Sequence, residues 1–184
     1  MSMSEKTKML AGELYNAFHP DLVRERSQAK TLCRQFNDCF DSSVGESLNI
    51  LKRVIAVGDS CWIEPPFRCD YGSNIAIGDN FYANFGCVIL DCNRVTIGNN
   101  VKLGPNVHLY TATHPIDPKL RLEGLEMAYP IAIGSNVWIG GGTIVLAGVT
   151  IGDNVTIGAG SIVTKDIPPN VVAVGSPCRP LRRV

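Results

Sequence analysis

The spacing of hydrophobic residues along this chain changes near residue 56. Before that point, apolar residues recur three, four or seven positions apart, as on one side of an α-helix, at Leu10, Leu14, Phe18, Leu22, Ala29, Leu32, Phe36 and Phe40. Pro20 divides the stretch into two predicted helices. The capping-box spacing from Ser43 to Glu46 predicts a third helix. Its predicted buried residues are Val44, Leu48, Leu51 and Ile55.

From residue 57 onward the period is six. The motifs VGDS, IGDN, IGNN, IGSN and IGDN begin at residues 57, 77, 97, 133 and 151, so they are separated by 20, 20, 36 and 18 positions. These separations indicate coils of about eighteen residues, a period typical of a solenoid. Within a coil, aliphatic residues are six apart, as in Ile133, Ile139, Val145, Ile151, Ile157 and Val163. Three such steps predict a three-sided coil of parallel strands with the aliphatic side chains inside.

The pattern therefore predicts a helical segment over residues 1–56, a solenoid over 57–166 and a C-terminal tail over 167–184. One stretch breaks the rhythm, because 24 positions separate Leu109 from Ile133 and one coil needs only eighteen. We expect the extra residues to leave the solenoid as a loop near 111–130. His114 lies where this loop begins, and functional residues concentrate on loops held by rigid scaffolds.

Composition excludes several classes of protein. Lys plus Arg and Asp plus Glu are both 17, so no overall charge favours nucleic acid. Residues 127–152 contain no charged residue, but their glycines and six-residue period favour solenoid coils over a membrane span. The seven scattered cysteines include no C-x-x-C pair, which favours free thiols in a reducing cytoplasm and no zinc site. The N-terminus carries no apolar stretch of signal-peptide length, so we expect no export.

Several longer motifs then narrow the interpretation. EPPFRCDYGSN, FYANFGCVILD, YTATHPIDP, IGSNVWIGG and GAGSIVTKDIPPNVVAVGSPCR resemble the maltose and galactoside O-acetyltransferases, and the similarity runs nearly from end to end. FRCDYG and YTATHPIDP resemble the maltose branch more. The resemblance implies a left-handed parallel β-helix, preceded by an α-helical segment and assembled as a homotrimer. It also implies transfer of an acetyl group from acetyl-coenzyme A to a sugar hydroxyl, at sites between subunits.

The resemblance also implies roles on the acceptor side. His114 corresponds to the general base that deprotonates the attacking hydroxyl, a task suited to imidazole near pH 7. Asn84 and Asp70 correspond to residues that contact the acceptor. Asp91 is the expected acceptor-binding acid, although Cys92 follows it and leaves the register open. At the N-terminal position where some relatives carry an acid, this chain has Asn16 or nothing in that role.

On the donor side, the resemblance implies a coenzyme A site built from the later coils. Trp138 offers a flat outward surface, and the small residues Gly141 and Ala159 allow the pantetheine arm to approach the backbone. Four further residues can bind the phosphates of coenzyme A through hydrogen bonds or positive charge: Thr164, Lys165, Arg179 and Arg182.

Two other functions are compatible with a solenoid of this kind. A zinc hydrolyase needs three converging histidines, and the chain has only His19, His108 and His114. A non-catalytic binding scaffold is the second alternative, since fold alone does not fix function. Within the acetyltransferase interpretation, a galactoside remains an alternative to a maltose- or glucose-type acceptor.

Overall fold

The structure is a computed structural model and describes residues 3–40 and 43–184. Four helices are present in those ranges: α1 (Glu5–Ala11), α2 (Pro20–Cys39), α3 (Val44–Leu51) and α4 (Pro118–Leu122). None of them has both the length and the apolar composition needed to cross a membrane. The rest of the described chain is dominated by short strands.

Most of the strands form the three flat faces of a parallel β-solenoid. The first face contains β2 (Ala56–Val57), β5 (Ile75–Ile77), β8 (Val95–Ile97), β13 (Ile131–Ile133) and β16 (Thr150–Ile151). The second contains β3 (Trp62–Ile63), β6 (Tyr82–Ala83), β9 (Lys102–Leu103), β14 (Trp138–Ile139), β17 (Thr156–Ile157), β19 (Val171–Val174) and β20 (Arg179–Arg183). The third contains β4 (Arg68–Cys69), β7 (Val88–Leu90), β10 (His108–Tyr110), β15 (Ile144–Val145) and β18 (Ile162–Val163).

Register and burial confirm the six-residue period. On the second face, Ile63, Ala83, Leu103, Ile139, Ile157 and Ala173 occupy one register row and are all at most 1% exposed. The residue before each of these points outward, as in the exposed Trp138 beside the buried Ile139. Apolar side chains therefore fill the inside of the solenoid, and the outer surfaces of its faces remain accessible.

The N-terminal segment differs in part from the helical prediction. Pro20 lies in the first turn of α2 and Ser43 caps α3, as predicted. However, Leu14 and Phe18 are not helical, because α1 ends at Ala11 and is capped by Gly12, whose φ of 76° suits glycine. The chain then forms β1 (Tyr15–Asn16), and Phe18 is 73% exposed. The predicted burial of the Val44 side chain lies outside the described side chains.

The predicted loop after β10 leaves the solenoid and has structure of its own. It contains β11 (Ala112–Thr113), α4 and β12 (Leu125–Ala128), and it rejoins the coils at β13. β12 pairs antiparallel with both β11 and β1, which fastens the loop to the N-terminal segment. The buried Asn93 strengthens this junction, since its Nδ2 donates to Met9 O at 3.1 Å and to Ala128 O at 2.8 Å. We call residues 111–130 the excursion.

Residues 167–184, predicted as a tail, continue the second face. β19 pairs parallel with β17, and β20 folds back antiparallel on β19. The arginines of β20 are therefore held on a sheet next to the last coil.

Candidate active site

His114 lies in the excursion directly after β11. Its side chain is exposed and has no hydrogen-bond partner among the described residues. The backbone beside it is fixed, because Pro115 is buried and Arg121 Nη1 donates to Pro115 O at 3.0 Å and to Ile116 O at 3.2 Å. A short, fastened loop thus presents an imidazole whose two nitrogens are both available.

Asn16 is joined to this loop through the small antiparallel sheet. It pairs with Leu125 of β12, while Thr113, the neighbour of His114, pairs with Met127. The side-chain oxygen of Asn16 accepts from Phe18 N at 2.9 Å, and the residue is exposed. The sheet therefore places Asn16 at the same edge of the solenoid as His114.

Asp70 and Asp91 also lie at this edge, where the third face turns into the first. Asp70 is half-buried, and Cys92 Sγ lies 3.6 Å from its Oδ2. Asp91 is fully buried, and its Oδ1 accepts from the backbone N–H groups of Asp70 at 3.0 Å and Tyr71 at 2.9 Å. The side chain of Asp91 thus holds the preceding corner together, and this geometry gives no support to the expected contact with an acceptor.

The environment of Asp91 also changes its ionisation. Burial raises the pKa of Asp91 to about 7, although the backbone N–H groups of Tyr71 and Asn74 act in the opposite direction. Burial, together with the neighbouring Asp70, raises the pKa of the Cys92 thiol to about 12. Neither of the two residues that follow Leu90 is an exposed acid, because Asp91 and Cys92 are both buried.

Asn84 lies at the opposite edge of the third face, where the second face turns into the third. Its side-chain oxygen accepts from Phe85 N at 2.8 Å. Gly141 and Ala159 follow along the same edge in later coils, and Gly160 N donates to Gly141 O at 2.9 Å. The coils are tightly stacked here, since a Cβ on Gly140 would lie 2.5 Å from Ala159 N. One chain therefore does not bring Asn84 and His114 together.

Trp138 and Arg182 share a register row on the second face. Trp138 pairs with Thr156, Thr156 with Val172, and Val172 with Arg182. Three strand spacings make this row about 14 Å long. Trp138 is 57% exposed, and Arg179 and Arg182 are exposed at the end of the same sheet. An aromatic surface and two cations thus border one extended outer face.

Thr164 and Lys165 are exposed and directly follow β18. They lie at the edge that also carries His114, across the third face from Gly141 and Ala159. The predicted residues therefore divide between two edges of the third face and the adjoining second face. Neither edge of a single chain contains the complete predicted set.

A cleft of about 910 Å³ lies between α2 and the third face, with Asp70 in its wall. The spacing of hydrophobic residues did not predict this cleft. The spacing of Arg26, Lys30 and Arg34, four positions apart on a predicted helix, was the available signal, because residues so spaced share one side of the helix.

No group of three or more His, Cys, Asp and Glu side chains that could hold a metal ion occurs in residues 3–40 and 43–184. Two of the three histidines have other contacts. His108 Nδ1 lies 2.6 Å from the hydroxyl of Tyr110, and His19 caps α2. His114 is thus the histidine that the fold leaves open at an edge.

Comparisons with known proteins agree with this architecture. Residues 8–57 match the maltose acetyltransferase hexapeptide capping motif, and residues 130–165 match the bacterial transferase hexapeptide with six repeats. The galactoside O-acetyltransferase of Escherichia coli K12 is 49% identical, over 100% of this chain and 91% of that protein.

Solved structures extend the similarity to three dimensions. A maltose O-acetyltransferase from Clostridium difficile 630 superimposes with a TM-score of 0.98 at 51% identity, covering 100% of this chain and 99% of the other. A galactoside acetyltransferase in complex with coenzyme A gives a TM-score of 0.95 at 48% identity, covering 99% and 92%.

A left-handed β-helix of hexapeptide coils, with a helical cap and an excursion, defines a hexapeptide-repeat acyltransferase. The chain belongs to the maltose and galactoside O-acetyltransferase family. Within this family, the activity is acetyl-coenzyme A-dependent O-acetylation.

Proposed function

We propose that the protein transfers an acetyl group from acetyl-coenzyme A directly to a sugar hydroxyl in a ternary complex, with His114 as the general base. The observation that carries this proposal is the exposed, unpartnered imidazole on a fixed excursion, at one edge with Asp70 and Asn16. Maltose- or glucose-type acceptors are the proposed substrates, with a galactoside as the alternative.

In the proposed reaction, a nitrogen of His114 takes the proton of the acceptor hydroxyl as its oxygen attacks the thioester carbonyl. The tetrahedral intermediate then expels the coenzyme A thiolate, which receives that proton. The oxyanion needs a donor. Gly142 N already donates to Pro105 O at 2.8 Å, so the backbone N–H of Gly141 is the better candidate of these neighbours.

The separation of the two edges supports a homotrimer with shared active sites. His114 lies at one edge of the third face, whereas Gly141 and Asn84 lie at the other. Three prisms packed around a threefold axis would bring the His114 edge of one chain next to the Gly141 edge of its neighbour. Each active site would then contain residues from two chains.

Acetyl-coenzyme A would lie along the edges and the outer second face of the later coils. Its pantetheine arm would pass the small residues Gly141 and Ala159, with Trp138 beside it. Its phosphates would contact Thr164, Lys165, Arg179 and Arg182, which are all exposed.

The acceptor would be held by the hydrogen-bonding side chains of Asn16, Asp70 and Asn84. We assign no acceptor contact to Asp91, since its carboxyl group is occupied by backbone amides. No disulfide joins any of the seven cysteines, which all lie within the described residues. This suits a reducing compartment, and we propose a cytoplasmic location.

The test is thiol release from acetyl-coenzyme A in the presence of glucose, maltose or a galactoside, with the wild type and a His114→Ala variant of unchanged circular dichroism. We expect sugar-dependent release that the variant loses. Coenzyme A binding without sugar-dependent release would reject these sugars as acceptors. The absence of both binding and release would favour a non-catalytic scaffold.

A further inference from the structure

The cleft between α2 and the third face collects positive charge from two separate elements. Arg26, Lys30 and Arg34 come from α2, and Arg68 comes from β4 on the opposite wall. Asp38 and Asp70 are the acidic residues among those lining it. Since the whole chain has no net charge, this excess of cations is local.

Three of these cations have no acidic partner. The ion pairs found in residues 3–40 and 43–184 include none formed by Lys30, Arg34 or Arg68. All three are exposed at the cleft. Arg26 is engaged differently, because its guanidinium donates to the Tyr71 hydroxyl and to Ala17 O, both at 2.6 Å.

The three cations of α2 form a row that leads away from the residues proposed to bind the acceptor. The contacts of Arg26 with Tyr71 and Ala17 fix its end next to Asp70 and Asn16, the residues we assign to the acceptor. Lys30 and Arg34 follow one and two turns further along α2, about 6 Å and 12 Å away. Asn37 lines the cleft near its other end, and its Nδ2 donates to Phe67 O at 3.0 Å.

The rest of the lining is largely apolar. Val88 and Leu90 of β7 contribute to it from the third face, with Phe18 and Val23 near the start of α2. Phe18 is 73% exposed, so its ring is available to contact a ligand in the cleft. The cleft therefore combines apolar surface for a carbon skeleton with unpaired cations at its far end.

We propose that this cleft binds an anionic substituent of the acceptor, a carboxylate or phosphate ester attached beyond the sugar that is acetylated. The proposal rests on the function proposed above and specifies its substrate class. Lys30 and Arg34 on one wall, with Arg68 on the other, contact the anion, while the apolar lining contacts the group that links it to the sugar. Both cation types bind such anions, Arg through a planar fork of donors and Lys as a point charge.

The test compares two acceptors that differ in charge but hardly in shape, 4-carboxyphenyl β-glucoside and the neutral 4-carbamoylphenyl β-glucoside. With the wild type, we expect kcat/KM for the carboxylate to exceed that for the amide by about tenfold, the scale of three solvent-accessible charge contacts. The preference should shrink as salt is added, because exposed charges are screened.

The Lys30→Gln/Arg34→Gln double variant should lose most of this preference. The matched control is Lys52→Gln/Arg53→Gln, which removes the same two kinds of charge from exposed residues outside the cleft and should keep the preference. Equal kcat/KM for the two glucosides with the wild type, or equal loss in the two double variants, would overturn the proposal.

Equilibrium binding separates this proposal from the proposed activity. Calorimetry with the same two glucosides should show tighter binding of the carboxylate, and the Lys30→Gln/Arg34→Gln variant should lose most of the difference, since Arg68 remains. Equal affinities would refute the anion site even if acetylation of sugars is confirmed. A carboxylate preference in binding without any acetyl transfer would support the site and contradict the proposed function.

Discussion

His114 and Asp91 lie at the same edge of the solenoid and have opposite environments. His114 is exposed without a partner, whereas Asp91 is buried with its oxygens bonded to backbone N–H groups. Residue type alone does not separate these environments, because both residues are ionisable and both directly follow a strand, β7 in the case of Asp91 and β11 in the case of His114. The difference decides which of them can exchange a proton with a substrate.

Replacing His114 by Asn should reduce kcat by about 10²- to 10⁴-fold, since an amide cannot accept the hydroxyl proton. Stability should hardly change, because the imidazole contacts no described hydrogen-bond partner. His19→Asn is the matched control, since Asn also caps a helix and His19 lies at the start of α2. Steady-state kinetics and thermal denaturation of both variants check this. A His114→Asn enzyme with nearly normal kcat would exclude the general-base role.

Asp91 should make stability depend on pH. Its pKa of about 7 in the folded protein is above the unfolded value of 3.8, so between these values the folded state holds a proton that the unfolded state releases. The contribution is therefore fully present below pH 3.8 and is lost as pH rises towards 7. Asp91→Asn should remove this dependence and cost about 1–3 kcal/mol through one poorly satisfied N–H.

Urea denaturation of the wild type and of Asp91→Asn at several pH values measures this effect. The difference between their free energies of unfolding should change across that range and level off above pH 7. A difference that stays constant with pH would show that Asp91 keeps an ordinary pKa.

The corner between the first and second faces shows how repeated residues stabilise the solenoid. Asn80, Asn100, Asn136, Asn154 and Asn170 all have positive φ, between 54° and 61°. Their side-chain amides form a continuous ladder with donor–acceptor distances of 2.9–3.0 Å. Asparagine suits this corner because it tolerates the left-handed region and supplies both a donor and an acceptor.

Asn136→Ala should destabilise the protein by about 2 kcal/mol. It breaks two hydrogen bonds of the ladder, and alanine tolerates the left-handed backbone conformation less well than asparagine because it has no side-chain hydrogen bond to compensate. Asn136→Gly should recover the backbone part of this loss but not the hydrogen bonds. The free energies of unfolding of the two variants separate the contributions. An alanine variant as stable as the glycine variant would show that backbone strain contributes nothing at this corner.

On the second face, the row from Trp138 to Arg182 should determine affinity for the donor. Trp138→Ala should raise KM for acetyl-coenzyme A several-fold, because it removes the aromatic surface next to the proposed pantetheine path. Trp62→Ala is the control, because Trp62 lies in the same register row but three strands before Trp138, on the side away from Arg182, and its Nε1 donates to Glu64 Oε1 at 2.9 Å. Equal effects on KM in both variants would argue against the proposed path.

For the whole molecule, the arrangement of the edges predicts active sites shared between chains. His114→Ala and Asn84→Ala chains should each be nearly inactive alone, whereas trimers co-assembled from both should recover activity. If each site uses His114 of one chain and Asn84 of its neighbour, about one quarter of the sites in a random mixture contain both native residues. Refolding the mixed chains and measuring thiol release tests this prediction.

Recovery well above the sum of the two separate variants would support shared sites. No recovery in a mixture shown by light scattering to be trimeric would place both residues of a site on one chain. A monomer in solution would contradict the proposed assembly itself.

The sequence by itself determined the coils and their inward residues. An aliphatic side chain at every sixth position can be buried only if all of these side chains face the interior of the solenoid and the polar residues between them face solvent. It also determined the position of the excursion, since six residues beyond one coil have no place in the stack. The start of α2 at Pro20 and the cap of α3 at Ser43 were also predicted from sequence, because both residues act only on the backbone next to them.

Only the tertiary structure decided the features that depend on residues distant in sequence. β1 exists because it pairs with β12, 110 or so positions away, so local spacing wrongly extended a helix through Leu14 and Phe18. Burial of Asp91 depends on amides from the preceding coil, and the cleft beside α2 depends on how that helix lies on the third face. Local periodicity determines which side chains point inward, but only tertiary packing determines which residues each outward side chain contacts.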